Sequence, residues 1–225
     1  VPELAAAEVR RLGSHPKVCQ VLFAAHVVGR PFGHPVYHPI YEAAVEVGLP
    51  IAFHSAGISA GGLGQPAAGG MPGSRLEYHT LAPQATMHDL ASMITFGVFE
   101  RFPELRLLIV ETGVAWAPWL LWKLDRHYDA LRRESPWVKR LPSDSFRDHV
   151  HLTTQPLDES EEVEQLVDVL ESFGGMEHVL CFSSDYPHWD TDTLRSVARR
   201  LPRAWWDDVF HGNAARHYGW PVTAP

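Results

Sequence analysis

Apolar positions along this chain follow two rhythms. Five short runs rich in aliphatic and β-branched residues stand out: Lys17 to Ala24, Leu49 to His54, Leu105 to Glu111, His149 to Thr154 and His178 to Asp185. Their apolar residues fall on both faces, as in strands of a parallel sheet covered by helices. Between the runs the period lengthens to that of amphipathic helices. Val36 to Val47 aligns Ile40, Ala43, Ala44 and Val47, and Ala91 to Phe102 aligns Met93, Ile94, Val98 and Phe99. Trp116 to Arg133 does the same with Leu120, Leu121, Leu124, Tyr128 and Leu131, and Glu159 to Phe173 with Val163, Leu166, Val167 and Leu170. Leu194 to Arg200 and Trp205 to Tyr218 complete the set. Strand alternating with helix predicts an α/β fold built from βαβ units. One long irregular insertion, Ser55 to Gly73, holds seven glycines and two prolines and follows the end of a strand, where a lid over a site is expected.

Composition narrows the class. The 225 residues fit a single domain, 1–225, and 45% hydrophobic with 20% charged residues is ordinary for a chain with a packed core. A formal net charge of -8 and the lack of any Lys/Arg run exclude nucleic acid and anionic membranes as expected partners. No apolar stretch approaches the roughly 20 residues that span a bilayer. Cys19 and Cys181 each sit inside an apolar run, which predicts buried free thiols in a reducing cytoplasm. No basic region followed by an apolar stretch opens the chain. It begins on a helical pattern, Leu4, Ala5, Val9 and Leu12, so sequence upstream is expected.

Three runs end in residues that chemistry can use: His54, Glu111 and Asp185. In a parallel barrel such ends gather on one face, where these folds place their active sites. A His, a Glu and an Asp converging there can hold a divalent metal or move protons.

Four segments carry a more specific resemblance. CFSSDYPHWD (Cys181 to Asp190) is similar to the last-strand motif of the amidohydrolase-related family, which includes aminocarboxymuconate-semialdehyde decarboxylase. PIYEAAVEVGLPIAFH (Pro39 to His54) resembles that family's helix and fifth strand, GVFERFPELRLLIVETGVAW (Gly97 to Trp116) its next helix and sixth strand, and GNAARHYGW (Gly212 to Trp220) its C-terminal helix. The resemblance implies a TIM (β/α)8 barrel of which this chain carries strands four to eight with their helices, strands one to three lying before Val1. It implies a divalent metal, zinc or else manganese, with His54 and Asp185 as ligands and Asp185 handling a proton. Glu111 stands where relatives often have His, so a ligand, a water partner and a substrate contact all stay open for it. His188 and Trp116 are candidate substrate contacts.

The resemblance also implies a His-x-His ligand pair from strand one, which has no counterpart upstream of the first run. The chain's only His-x-His, His149 to His151, opens its strand and so belongs to the opposite, stabilising face. His26, His34 and His38 read as solvated loop residues, with the pocket mouth as the alternative, and His79 and His88 as residues flanking a helix start, with a substrate contact open for either. Trp119, Trp122, Trp205 and Trp206 read as packing. No Gly-x-Ser-x-Gly elbow, phosphate loop or Cys-x-x-Cys pair offers a different chemistry.

The reading is therefore a metal-dependent enzyme lineage acting on a small carboxylic or aromatic acid, by hydrolysis or by non-oxidative decarboxylation. The rival is an inactive barrel fragment. Either way, two open sheet edges predict a marginal monomer or a homo-oligomer.

Overall fold

A computed structural model describes residues 1–23, 30–54 and 68–221. In chain order the helices are α1 (Pro2–Leu12), α2 (His38–Glu46), α3 (Arg75–Thr95), α4 (Val98–Arg101), α5 (Trp116–Leu131), α6 (Pro142–His149), α7 (Val163–Phe173), α8 (Leu194–Arg200) and α9 (Asn213–Tyr218). The strands are β1 (Val21–Phe23), β2 (Ile51–His54), β3 (Leu107–Val110), β4 (Val150–Thr153) and β5 (Leu180–Cys181). All pair in parallel in the order β1-β2-β3-β4-β5. Sequential parallel strands joined by helices bear out the βαβ units of the apolar runs and make up part of a (β/α)8 barrel, as the resemblance implies.

Burial on both faces explains why the strands read as continuous apolar runs. Ile51, Phe53, Leu107, Ile109, Val150, Leu152 and Leu180 point to the helical layer and join one core with Tyr41, Leu90, Met93, Leu121, Phe146 and Leu170. Each fully buried leucine contributes roughly 1.5–3 kcal/mol by leaving water. The opposite face carries Ala52, Leu108 and Cys181, covered by Ala214 and Tyr218 of α9. In α7, Leu166, Leu170 and Phe173 form one buried stripe at helical spacing.

Several expected boundaries move. The first strand starts at Val21, so Cys19 lies outside the sheet and is exposed, against expectation; Cys181 is buried, and both thiols are free. Burial pushes the Cys181 thiol up to about 12. The last run yields a two-residue strand, because Met176–His178 forms a 3-10 turn and the chain leaves the sheet after Cys181. His149 ends a helix rather than opening a strand. The helix expected from Ala91 starts at Arg75, where Ser74 Oγ accepts from Glu77 N at 3.1 Å, and it breaks at Gly97. Gly97 has φ of 70°, and a Cβ there would lie 2.4 Å from Trp137 Cδ1, so glycine is required. The final stretch is a 3-10 turn, a π-helical segment and α9 rather than one helix. Residues 55–67 of the expected lid, together with His26, lie outside the described residues.

Candidate metal centre

Parallel pairing brings the C-terminal ends of β2, β3 and β5 to one edge of the sheet, and with them His54, Glu111 and Asp185. Phe53 pairs with Ile109 and turns to the helices, so His54, beside Val110, turns to the opposite, inner face. Its Nε2 lies 3.0 Å from Glu111 Oε2. One ligand atom from each of Glu111, Asp185 and His188 lies within 4.8 Å of the other two. His188 Nδ1 contacts Asp185 Oδ2 as an ion pair without hydrogen-bonding alignment. Exposure of the side chain rises from 12% at Glu111 through 25% at Asp185 and 28% at His54 to 60% at His188, so the cluster opens outward.

Two of these residues occupy an uncommon backbone conformation. Glu111 has φ of 59° and Asp185 φ of 51°. The left-handed region costs a non-glycine residue about 1–2 kcal/mol, and such strain concentrates at functional positions. Neighbouring contacts hold it in place. Glu111 N donates to Thr153 Oγ1 at 3.0 Å, tying the end of β3 to β4. Ser183 N donates to Thr154 Oγ1 at 3.1 Å and Gln155 N to Ser183 Oγ at 3.0 Å, tying β4 to the segment before Asp185. His188 N donates to Asp185 O at 2.9 Å.

Charge at the cluster is uneven. The hydrogen bond from His54 holds the Glu111 carboxyl below its ordinary range, and the same bond raises His54. Asp185 is pushed up, first by desolvation and then by the nearby Glu111 charge. Two carboxylates with imidazoles are oxygen and nitrogen donors of the kind that hold manganese or zinc. Asp185 Oδ2 is buried and unaligned with any donor among the described residues, and a cation between the carboxylates would relieve their repulsion. The donor set fits a divalent metal.

Of the expected contacts, His188 joins the cluster and Trp116 does not enter it. The Trp116 indole is half-buried and donates to Thr112 O at 3.0 Å and Gly113 O at 3.1 Å, in the segment between Glu111 and α5. His149 closes α6 and His151 is the second residue of β4, so both lie away from this edge. His149 Nδ1 is 2.9 Å from Leu105 O and its ring stacks on Phe99, while His151 Nδ1 is 3.2 Å from His217 Nδ1. His34 caps the turn Pro35–Tyr37, accepting from Val36 N at 3.1 Å, and His88 is exposed. His79, for which a substrate contact stays open, packs against Trp189, the residue after His188.

The family model described as "Amidohydrolase" matches residues 1–220. No curated protein matches the sequence. Among solved structures, 5-carboxyvanillate decarboxylase from Sphingomonas paucimobilis superposes with a TM-score of 0.71 at 22% identity, over 98% of this chain and 64% of its own. An amidohydrolase from Mycobacterium avium subsp. paratuberculosis K-10 reaches 0.74 at 22% identity, over 99% and 56%. A dihydroxybenzoic acid decarboxylase from Polaromonas sp. JS666, solved with manganese and the inhibitor 2-nitroresorcinol, reaches 0.68 at 19%, over 97% and 66%. At these identities the likeness concerns the fold. The chain spans less than two thirds of the length of each of these three. With a family model matched across nearly all of its residues and that fold, the chain belongs to the amidohydrolase family.

Proposed function

We propose that this chain carries the C-terminal part of a divalent-metal site for non-oxidative decarboxylation of a small aromatic acid. The observation that carries the reading is the convergence of His54, Glu111, Asp185 and His188 at the C-terminal edge of the sheet. The solved decarboxylases of similar fold support the reaction class, and the manganese in one of them supports manganese over zinc. His54, Asp185 and His188 would hold the metal, with Glu111 as a further ligand or the partner that orients His54. A divalent ion held there would supply positive charge to fix the carboxylate and phenolic oxygens of the acid.

The protein's own part is proton transfer. Asp185, with His188 Nδ1 against its Oδ2, is the carboxyl placed to hold a proton at this edge. It would give that proton to the ring carbon bearing the carboxylate. The bond from that carbon to the carboxylate then breaks, its electron pair restores the aromatic ring, and carbon dioxide leaves. Asp185 recovers its proton from water. Glu111, kept ionised by His54, would hold the imidazole in place throughout.

Hydrolysis is the second reading, favoured by the place of the Asp185 carboxyl within the donor cluster, where it suits accepting a proton from water. The test is release of labelled carbon dioxide from carboxyl-labelled hydroxybenzoates by the manganese-loaded chain. Turnover abolished by Asp185→Asn supports the proposal. Cleavage of amides or esters without carbon dioxide supports hydrolysis. No turnover of either class contradicts both and leaves the chain an inactive part of a barrel.

A further inference from the structure

Three histidines stand at or beside this edge of the sheet: His54, His188 and, through its contact with Trp189, His79. Two carboxylates at the cluster engage two of them, since His54 meets Glu111 and His188 meets Asp185. His79 is the third. It comes from the first turns of α3, and its Nε2 is buried with no hydrogen-bond partner among the described residues. A buried polar atom without a partner is rare in a folded chain and marks a place where something else binds. The ring is nonetheless positioned. It meets Trp189 edge to face, with centroids 5.6 Å apart at 90°, and Tyr78 at 5.1 Å.

Glu111, Asp185 and His188 group within 4.8 Å among the described residues; His54 joins them by its contact with Glu111, and His79 only by way of Trp189. Its free nitrogen is therefore placed for a molecule lying beside the metal rather than for the metal itself. What that molecule is follows from the surroundings. The loop after Asp185 holds out two large aromatic side chains, Tyr186 at 81% and Trp189 at 79% exposure. Exposed aromatic area beside a polar cluster suits a flat, apolar ring that carries a polar group. With two carboxylates already in place, a substrate carboxylate needs a donor of its own on the side away from the metal.

We propose that His79 is the anion-binding residue of this site, donating from Nε2 to the carboxylate of a planar aromatic acid lying along Trp189. This rests on the metal reading above. It assigns His79 to substrate contact and places the proton on Nε2.

The probes are salicylate and its neutral relative salicylamide, titrated calorimetrically into the manganese-loaded chain and into its His79→Leu and His79→Gln variants. Manganese content per chain is measured on all three. We expect manganese content to be unchanged. His79→Leu should weaken salicylate binding about tenfold or more, the size of a hydrogen bond to a charged group. His79→Gln, which keeps an N–H donor, should restore most of it. Salicylamide should bind the three proteins alike. A wild-type chain that takes up no manganese overturns the metal reading, and this proposal with it. Manganese uptake with no salicylate binding, or with equal salicylate binding in wild type and His79→Leu, overturns this proposal and leaves the metal reading standing. Unfolded His79→Leu is recognised by circular dichroism, and the comparison then rests on His79→Gln against His79→Asp. The Asp variant places a carboxylate where the donor should be and must abolish salicylate binding.

Discussion

Glu111 and Asp185 follow two different strands, β3 and β5, and share one backbone conformation, the left-handed region with φ of 59° and 51°. Asparagine tolerates that region better than most residues, and it carries no charge to oppose Glu111. Asp185→Asn should therefore leave the melting temperature of the metal-free chain unchanged or a few degrees higher, read by differential scanning calorimetry. A fall of several degrees would show that Asp185 is there for stability. Of the four clustered residues, His54, Glu111 and Asp185 were legible because each stands at the end of an apolar run, and His188 because it lies in the motif that runs on from Asp185. In the sequence, His79 stays open between a helix start and a substrate contact. It lies on a polar helical turn beyond the long insertion, and only tertiary packing against Trp189 brings it to the site. Trp116 is held beside Glu111 by the bonds of its indole to the carbonyls of Thr112 and Gly113, the two residues that follow Glu111.

Elements were legible where burial made the pattern strong. Strands β2, β3 and β4 lie inside the expected runs, since both of their faces are covered. The first half of α3 gave little signal because its outer turns are polar and Pro83 interrupts them. Helix α6 is short and dominated by polar residues, so its buried Phe146 did not reveal it. The junction between α3 and α4 depends on one residue. Gly97→Ala places a Cβ against the Trp137 indole and forces alanine into the left-handed region. The expected cost is about 2 kcal/mol or more, measured as a shift in the urea midpoint. A neutral result would mean that Trp137 moves freely aside, and that its bond from Nε1 to Thr95 O at 2.8 Å does not hold the junction.

At the scale of the molecule, the inner sheet face is closed by α9 through a buried histidine pair. Burial above all holds His151 down to about 4 and His217 down to about 3, and the guanidinium of Arg106 lowers both further. Both rings are neutral in the fold. The sign follows from that. Above about pH 6.5, the ordinary histidine value, neither state takes up a proton. Below it the unfolded chain binds protons that the fold refuses, so stability falls as the pH drops toward the folded values. The slope is up to roughly 1.4 kcal/mol per pH unit for each ring. Unfolding by urea between pH 7 and pH 5 should show this loss, and His217→Gln should make it shallower; a flat profile in the wild type would contradict it. The described strands β1 and β5 each pair on one side only. Open edges of this kind recruit partners, so light scattering should detect self-association. A clean monomer with a sharp thermal transition would count against it. The central claim is that residues His54, Glu111, Asp185 and His188 still form a metal centre. Mass-spectrometric manganese content of the purified chain beside Asp185→Asn tests it most directly. About one manganese per chain, lost in the variant, is the predicted result. Absence of metal from both proteins, after loading with excess manganese, would contradict it.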